Sequence, residues 1–514
     1  MTTTATPPVL FWLREDLRVD DNRALNAAIA DANARGTGVH AIWCVVPQQW
    51  DAHGMGDNRR WFLLESAREL LHTLADAGIP LTVIDAGDFA GSTVAVARRL
   101  AALRSPALYF NHEYPLNELR RDELAVAACA QAGVAVHRFH DGVLVPPAAL
   151  LTKSGTPYSV FTPWRQAWYR HLAGDATLAP RAFRAPACRA DAALLARETL
   201  ASLHTLDEQL RALVVPHSVR AAWQPGERAA RRRLKAFAAD ALAGYRDRRD
   251  LPAVAGTSTL SPYLAAGCLS PRRALAFARD ANRGDFAEGN AGAVTWISEL
   301  GWRDFYKQVM YHHPHVSKGF AFRRETDRIA WRRDSRDFAA WCNGETGVPL
   351  VDAAMRQLVA TGWMHNRLRM VTAMFLSKDL LIDWRLGEAF FARHLVDWDF
   401  AANNGGWQWS ASTGTDAAPY FRLFNPVRQG ERFDPAGEFV RQWLPALRDV
   451  PDRYVHAPWL LAEKTPKGAG LLFAEQKSTP VAPFVPPLID HERAKARVMA
   501  AFRAIGDDKI DRIA

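Results

Sequence analysis

Short apolar runs alternate with amphipathic stretches along the first 140 residues. The runs read VLFWLRED, GVHAIWCVV, PLTVID, ALYFNHE and AVHRFH, and the alanine- and leucine-rich stretches between them have helical spacing. This alternation predicts a parallel sheet wound with helices, which is a Rossmann-like α/β domain. No G-x-G-x-x-G follows the first run, so the pattern does not support an ordinary dinucleotide site in this part of the chain.

The pattern changes after residue 140. Between residues 141 and about 220 the strand-like runs disappear and prolines interrupt the sequence, which indicates a connector with some helix. The rest of the chain is typical of helices punctuated by glycine and proline. We therefore expect an α/β domain over 1–140, a connector over 141–220 and a larger all-α domain over 221–514. Within the last part, the basic stretch ERAARRRLKAF fits either a solvated surface helix or a nucleic-acid contact.

Composition narrows the class of protein. With 514 residues, of which 49% are hydrophobic and 23% charged, the chain has the balance of a globular protein with more than one domain. The 64 Lys and Arg against 55 Asp and Glu give a net charge of +9, which favours a polyanionic partner such as nucleic acid. We find no apolar run long enough for a bilayer and no secretory leader in MTTTATPP, so we expect a cytoplasmic protein without a membrane partner. The five cysteines form no C-x-x-C pair and indicate neither a disulfide framework nor a metal site.

The segment GTSTLSPYLAAGCLSPR, residues 256–272, places hydroxyl groups ahead of a helical pattern. Thr257, Ser258, Thr259 and Ser261 lie at the start of this pattern, next to Pro262. Hydroxyls and unpaired backbone N–H groups at a helix start suit a phosphate group. Simple capping of the helix is the alternative interpretation of the same residues.

A second candidate is WISELGWRDFY, residues 296–306. Trp296, Glu299, Trp302, Arg303 and Tyr306 recur at steps of three and four, so they share one helix face. A Glu–Arg pair at this spacing is ordinarily a surface salt bridge. Because indoles flank it here, we expect the lining of an aromatic, hydrogen-bonding pocket.

In WMHNRLRM, residues 363–370, three side chains of different chemistry fall on one face of a helix. They are Asn366, Arg369 and Met370. Gly362 is expected to end the preceding helix, so these polar groups begin a new segment. The neighbouring His365 is expected to be a structural residue.

The run DWDFAANNGGWQWSASTGTDAAPYF, residues 397–421, combines acids, amides, paired glycines and tryptophans and is predicted to be a loop. Gly405 and Gly406 would let the backbone approach a ligand closely. Nine of the 18 tryptophans lie between Trp296 and Trp409, which favours a planar ligand. No nucleophile with its base is recognisable, so the chemistry is expected to belong to a bound cofactor.

Several strings together carry a family resemblance. FWLREDLRVDDNRAL, GTSTLSPYL, ELGWRDFY, PLVDAAMRQLVATGWMHNRLRM and DFAANNGGWQWSASTGTDAAPYFRLFNP resemble the photolyase/cryptochrome flavoproteins across essentially the whole chain. The resemblance is greatest to the bacterial class I cyclobutane pyrimidine dimer photolyases, which are carbon–carbon lyases. It implies light-driven repair of DNA by an electron from excited, reduced FAD to a flipped-out dimer.

The resemblance also implies how FAD is held. Asn403 matches the amide that faces flavin N5, and Arg369 with Asp397 matches an ion pair beside the ring system. The implied FAD residues are Tyr245, Thr257, Ser258, Thr259, Leu260, Ser261, Trp296, Arg303, Trp363, Arg369, Asp397, Trp398, Asp399 and Asn403. Trp407, Trp384 and Trp331 match the family's chain of tryptophans that carries electrons to the flavin.

Substrate and antenna residues follow from the same resemblance. Those implied for the lesion and its DNA are Arg249, Glu299, Trp302, Asn366, Arg367, Met370 and Trp409. Those implied for an antenna of 5,10-methenyltetrahydrofolate are His53, Asn117, Glu118 and Lys318, and they favour folate over deazaflavin. We expect a monomer that needs no obligate protein partner.

Two other functions remain as alternatives. Within the family, the chain could be a cryptochrome-type blue-light sensor, which Asn403, Met370 and Trp409 together disfavour. From a different class, it could be a non-catalytic helical protein that binds nucleic acid and uses its tryptophans only for packing. Purified protein of that last kind would be colourless.

Overall fold

The computed structural model describes residues 6–464 and 486–506, with the backbone alone over 462–464. The chain divides into two compact units. The first comprises Met1–Arg246, Ser258–Ser317 and Val396–Ala402, and the second comprises Asp247–Thr257, Lys318–Leu395 and Asn403–Ala514. The expected domain limits at residues 140 and 220 stay a prediction.

A five-stranded parallel sheet forms the centre of the first unit. Its strands are β1 Val9–Leu13, β2 Val39–Val45, β3 Leu81–Asp85, β4 Ala107–Asn111 and β5 Ala135–Phe139. Their order is β3-β2-β1-β4-β5, with Trp12 opposite Ile42 on one side and Phe110 on the other. The strands β1, β2 and β4 are buried throughout, which explains why they read as continuous apolar runs. The sequence prediction of a Rossmann-like sheet is confirmed.

In the described part of the first unit, thirteen α-helices surround this sheet or follow it in the chain, and the tenth of them ends in the second unit. They are α1 Arg23–Ala34, α2 Pro47–Ala52, α3 Asp57–Asp76, α4 Phe89–Leu103, α5 Leu116–Gln131, α6 Phe161–Gly174, α7 Ala192–Arg211, α8 His217–Ala222, α9 Glu227–Asp240, α10 Tyr245–Arg248, α11 Ser261–Ala265, α12 Pro271–Ala281 and α13 Ala291–His312.

Part of the expected connector packs on the sheet. Helix α7 lies against β3, where Thr82 Oγ1 donates to Glu198 Oε2 at 2.7 Å and Val83 N donates to Ser202 Oγ at 2.9 Å. Polar side chains of α7 thus satisfy the edge strand, a role that its amphipathic sequence alone did not reveal.

A buried ion-pair network joins the segment after β1 to α12. Asp141 pairs with Arg18 and, at 2.6 Å, with Arg272, and the Arg272 side chain also reaches Asp21 at 3.0 Å. Burial opposes ionisation of Asp141, but the two guanidinium groups outweigh it and lower its pKa to about 2. The network ties the segment after β1 and the segment after β5 to α12 within the first unit.

The second unit is helical in its described part. Its helices are α14 Ser335–Asn343, α15 Pro349–Thr361, α16 Asn366–Met374, α17 Trp384–His394, α18 Phe400–Ser410, α19 Pro426–Phe433, α20 Glu438–Trp443, α21 Trp459–Lys464 and α22 His491–Ala504, of which α18 begins in the first unit. Gly362 ends α15 in the left-handed region at φ 68°, and α16 starts at Asn366, as the sequence predicted. With the parallel sheet, these helices confirm the expected combination of an α/β part and a larger helical part.

The C-terminal helix α22 closes a small core in this unit. Val498 and Phe502 are fully buried with Leu381 and Tyr420, and the partly buried Trp331 packs against the same cluster. The π-helical turn Phe375–Asp379 lies beside α22, where Asp379 Oδ1 meets His491 Nδ1 at 2.7 Å. Trp331 is therefore packed in part against the core that α22 completes.

Among the described residues, no helix combines the length and apolar character needed to cross a bilayer. All five cysteines are free thiols, and Cys44, Cys129 and Cys268 are buried. Over the same described ranges, His, Cys, Asp and Glu side chains form no group of three or more that could hold a metal ion.

Candidate cofactor and substrate sites

A cavity of about 210 Å³ opens in the first unit at the carboxyl ends of β1, β2 and β4. Ligands of open parallel sheets bind in this position, where the order of the strands reverses. The wall includes the indole rings of Trp12, Trp43, Trp50 and Trp398. Charged side chains line the same cavity, so it combines flat aromatic surfaces with polar groups.

Three of the expected antenna residues line this cavity. Asn117 Nδ2 lies 3.1 Å from His53 Nε2, and Glu118 stands one residue further along α5. Burial and the nearby carboxylate of Glu113 raise the pKa of Glu118 to about 7. The fourth expected residue, Lys318, is exposed and belongs to the second unit.

The cavity also has a charged floor that the sequence analysis missed. The guanidinium carbons of Arg14 and Arg121 lie 4.8 Å and 5.1 Å from the centre of the Trp12 ring. Both arginines pair with Asp122 at 2.8 Å, and Arg121 also pairs with Glu113 at 2.7 Å. The motifs LRED and LRRDEL carry these residues, but only the sheet topology brings them together.

Helix α13 supplies the expected aromatic and polar face. Trp296 is buried 5.4 Å from the ring of Phe237, which also contacts Tyr245 at 5.9 Å. Trp302 stacks on Phe161 with ring centres 3.6 Å apart. Glu299 and Tyr306 are half-buried on the same helix.

Three residues implied for FAD line the first unit's cavity as well. They are Arg303, Trp398 and Asp399. Arg303 donates to the carbonyl oxygens of Gly142 and Leu264, while Asp399 pairs with Lys307 at 3.0 Å. Burial opposes ionisation of Asp399, but Lys307 and Arg303 outweigh it and lower its pKa well below the usual range. On this side of the cavity, the charged side chains are therefore held in place by ion pairs and hydrogen bonds within the first unit.

The hydroxyl-rich segment forms a tight turn before α11. Thr259 has φ 48°, a left-handed conformation that is unusual outside glycine, and Leu260 N donates to Ser258 Oγ at 3.4 Å. Arg233 of the basic helix α9 contacts Thr259 Oγ1 through its guanidinium group. The guanidinium group of Arg233 therefore lies beside the hydroxyls of this turn. Arg233 belongs to the basic stretch for which the sequence analysis left two interpretations open, a surface helix or a nucleic-acid contact. Thr257 lies at the end of a segment of the second unit.

In the second unit, the start of α16 carries the expected polar residues. Arg369 Nε donates to Met364 O at 2.8 Å, whereas Asn366 is exposed and Met370 half-buried. His365 is buried and its Nδ1 accepts from Arg367 N at 3.2 Å. Burial lowers the pKa of His365 to about 4, so it is a neutral helix cap, as expected of a structural histidine.

Asp250 lies beside two of the residues expected to contact DNA, although no motif indicated it. Its Oδ1 lies 2.9 Å from Arg367 Nη2 and 4.0 Å from Arg249 Nε. Arg367 also lies over the ring of Phe433 at 4.5 Å. One carboxylate therefore holds two arginines that were assigned to DNA.

The predicted loop over 397–421 is wrong in its centre, because residues 400–410 form helix α18. Asp399 caps the helix by accepting from Ala402 N at 3.1 Å. Trp407 is 2% exposed and its ring packs on Phe391 at 5.0 Å. This packing outweighs the low helix propensity of the paired glycines and amides.

Of the three tryptophans implied for electron transfer, all in the second unit, two are buried and one is half-buried. Trp407 and Trp384 are 2% and 0% exposed, and Trp331 is half-buried. Gly387 of α17 lies against the Trp407 ring so closely that a Cβ atom there would overlap it. Trp363 is half-buried near His365, and Trp409 is half-buried on α18.

The parallel sheet and the larger helical part together define a fold of the photolyase type. A model of the DNA photolyase family matches residues 9–187, and a model of the FAD binding domain of DNA photolyase matches residues 296–504. The chain belongs to the DNA photolyase family.

Similar proteins cover nearly the whole chain. A Salmonella typhimurium protein named deoxyribodipyrimidine photo-lyase is 44% identical over 97% of this chain and 99% of its own length. The Escherichia coli protein of the same name is 42% identical over 96% and 98%. A class III photolyase structure from Agrobacterium tumefaciens is 33% identical with a TM-score of 0.81, covering 99% of this chain and 100% of its own. A Synechocystis cryptochrome structure is 26% identical with a TM-score of 0.79, covering 97% and 100%.

Proposed function

We propose that this protein is a light-driven lyase that repairs cyclobutane pyrimidine dimers in DNA. The observation that carries the proposal is its similarity, over almost the whole chain, to bacterial relatives named deoxyribodipyrimidine photo-lyase. When bound and reduced, FAD supplies the light absorption and the electron that splits the cyclobutane ring, and the electron returns afterwards with no net redox change. The residues of the chain bind, orient and shield the reacting groups.

In the first unit, the residues proposed for the FAD phosphates combine donors and positive charge. They are Tyr245, Ser258, Thr259, Leu260 and Ser261, with Thr257 of the second unit. The turn before α11 offers hydroxyls, and Arg233 at Thr259 adds a guanidinium group that the resemblance did not include. This donor set fits an anionic phosphate better than a neutral ligand.

Around the flavin ring we assign Trp296, Arg303, Asp397, Trp398 and Asp399 of the first unit, and Trp363, Arg369 and Asn403 of the second. Arg303, Trp398 and Asp399 also line the cavity that is proposed below for the antenna. Asn403 Nδ2 donates to Glu388 O at 3.1 Å, so its carbonyl oxygen is the atom left to accept from N5–H. Such an acceptor favours reduced flavin, and the cation of Arg369 favours an anionic ring. Trp407, Trp384 and Trp331 are proposed to carry the electron that reduces the oxidised flavin.

For the lesion we assign Glu299 and Trp302 of the first unit, and Arg249, Asn366, Arg367, Met370 and Trp409 of the second. Trp302 is already stacked on Phe161, so it offers a rigid wall to a dinucleotide that has left the stack. Arg249 and Arg367, both beside Asp250, are proposed to contact phosphates and to make binding sensitive to salt.

For the cavity of the first unit we propose 5,10-methenyltetrahydrofolate as the antenna, with deazaflavin as the alternative. His53, Asn117 and Glu118 would hold it, with Lys318 as a further contact. A carboxyl with a pKa of about 7 can donate or accept at neutral pH, which suits a heterocycle with both N–H and C=O groups. Chromatography of the chromophore released on denaturation separates the two candidates.

We further propose that the enzyme acts as a cytoplasmic monomer on DNA without an obligate protein partner. Size-exclusion chromatography with light scattering tests the monomer, and repair by the purified protein alone tests the independence from partners. An oligomer, or activity only in the presence of an extract, would contradict this proposal.

The central experiment exposes a dimer-containing oligonucleotide to the chemically reduced protein in light and in darkness. Chromatography of the products should show restored pyrimidines only after illumination, and the undamaged strand and the oxidised protein serve as controls. Flavin-containing protein that leaves the dimer intact in light would indicate a cryptochrome-type sensor. A colourless preparation would indicate a protein that only binds nucleic acid.

A further inference from the structure

We propose that Glu388 of α17 is a positioning residue that fixes the amide of Asn403 in the orientation needed at the flavin. This inference rests on the proposed placement of Asn403 and extends it to a residue that touches neither cofactor nor substrate in the assignments above. It is carried by two hydrogen bonds that α18 makes to this single residue.

Glu388 holds two neighbouring residues of α18 through different groups. Its backbone oxygen accepts from Asn403 Nδ2 at 3.1 Å, and its carboxylate Oε1 accepts from Asn404 Nδ2 at 3.0 Å. Consecutive helix residues project about 100° apart, so two contacts on one residue fix the rotation of α18 about its axis. The Asn403 amide cannot turn over without losing its bond, which keeps its carbonyl oxygen as the acceptor.

The carboxylate contact continues into a buried network. Asn404 Oδ1 accepts from Gln408 Nε2 at 2.8 Å, and Gln408 Oε1 accepts from Phe322 N at 2.7 Å. Asn404 and Gln408 are 3% and 2% exposed. A buried amide that loses its partner retains the full cost of desolvation, so the network strongly disfavours movement of Asn404 away from Glu388.

The state of the carboxyl group decides which variant preserves this arrangement. Burial raises the pKa of Glu388 to about 7, against the opposing effects of the Asn404 bond and of Arg385, while Asp383 adds a repulsion. The neutral acid is therefore accessible at physiological pH. Glutamine has nearly the same shape and an oxygen that can accept from Asn404, so Glu388→Gln should keep the side-chain contact with Asn404. Glu388→Ala removes that contact and keeps the backbone oxygen that accepts from Asn403, so it tests whether the side-chain contact is needed to hold α18 in place.

The test compares Glu388→Ala, Glu388→Gln and Asn403→Ala in the full chain loaded with FAD. The matched control is Glu345→Ala, because Glu345 is an exposed glutamate of the same unit outside the assigned sites. The measurements are the reduction midpoint of the bound flavin, its visible spectrum, and the flavin-to-protein ratio. A purely structural role would change the thermal midpoint without moving the reduction midpoint.

We expect Glu388→Ala to favour the oxidised flavin at least threefold at a fixed potential and to shift the spectrum in the same direction as Asn403→Ala. Glu388→Gln should restore the parental values, and Glu345→Ala should equal the parent. If Glu388→Ala does not fold, Glu388→Asp withdraws the carboxylate by one methylene group and is judged by the same criterion.

The outcomes separate this inference from the proposed function. A parental midpoint in Glu388→Ala or its substitute, together with a shifted midpoint in Asn403→Ala, would overturn the role of Glu388 alone. A parental midpoint in Asn403→Ala would overturn the placement of Asn403 beside the flavin. A shift in Glu388→Ala that glutamine does not rescue would also count against a positioning contact through the carboxyl oxygen.

Discussion

At the scale of single residues, Asp304 shows how one side chain organises a site. Its Oδ2 accepts from Leu144 N at 2.8 Å, from Val145 N at 3.1 Å and from Trp168 Nε1 at 3.1 Å. It thereby ties α13 to the segment that follows β5 and to α6, within the first unit. Burial raises the pKa of Asp304 to about 6 in spite of these three donors and of Arg303.

Asp304→Ala should lower the free energy of unfolding by about 2 kcal/mol or more, because three buried donors lose their acceptor. Asp304→Asn keeps an acceptor and should cost less. An unfolded Asp loses its proton near pH 4, whereas the folded group keeps it to about pH 6, so the folded state binds more protons between these values. The stability of the parent should therefore fall relative to Asp304→Asn as the pH rises from about 4 to 6, as measured by urea unfolding.

Glu299→Ala should reduce the number of dimers repaired per absorbed photon severalfold while leaving flavin content unchanged, because Glu299 is assigned to the lesion. Glu288→Ala is the matched control, since Glu288 is an exposed acid of the same unit outside the assigned sites. The measurement is the repair yield of the reduced protein against counted photons. Equal yields in both variants would remove Glu299 from the lesion contacts.

Trp331→Phe should slow photoreduction of oxidised FAD severalfold or more and spare repair by protein that is already reduced. Its ring is the most exposed of the three proposed carriers, so an external donor would reach it first. Trp443→Phe is the control, because Trp443 is equally half-buried in the same unit and belongs to no assigned site. Photoreduction at the parental rate in Trp331→Phe would mean that the electron enters by another route.

Sequence motifs predicted some single residues of the candidate sites and not others. The break at Gly362 and the new start at Asn366 were predictable because both depend on local backbone chemistry. Arg233, Asp250 and Glu388 were not, because each contacts a residue that is distant in sequence, through hydrogen bonds or ion pairs. Such partners carry no spacing of their own and become visible only when the fold brings them together.

At the scale of elements, the contact between α17 and α18 decides the geometry around Trp407. The sequence predicted a loop for α18 because glycines, amides and an acid dominate it, and local propensity was the only guide. The packing of Trp407 on Phe391 and Trp341 stabilises the helix, although the intrinsic helix propensity of its residues is low. The strands β1, β2 and β4 were predicted correctly for the opposite reason, since strands that are buried throughout appear in the sequence as apolar runs.

Gly387→Ala tests this contact. Its Cβ would lie about 2.5 Å from Trp407 Cζ3 and 2.6 Å from Leu376 Cδ2, so the ring or the helix must shift. We expect a loss of about 1–3 kcal/mol of stability from overpacking, seen as a lower thermal midpoint, with slower photoreduction. Gly406→Ala on α18 meets nothing within 4 Å and should be neutral or stabilising. A parental thermal midpoint in Gly387→Ala would show that the two helices are looser than described.

At the scale of the whole molecule, stretches of the chain belong alternately to the first and to the second unit. The sequence predicts a domain over 1–140, a connector over 141–220 and a domain over 221–514, and these limits stay a prediction. The first unit of the structure includes residues 258–317 and 396–402, and these supply Arg303 and Trp398 to its cavity. No local sequence pattern shows that a later segment of the chain belongs to the same compact unit as an earlier one.

This alternation of segments limits how the gene can be recombined with that of a relative. A single crossover with the gene of a relative cannot exchange one unit intact, wherever it falls. Each unit is made of three separate stretches of sequence, so every breakpoint leaves part of a unit, such as residues 247–257 or 396–402, with the sequence of the other parent. Hybrid offspring would therefore be mosaics in both units, and swapping the antenna preference between relatives requires several coordinated exchanges rather than one splice.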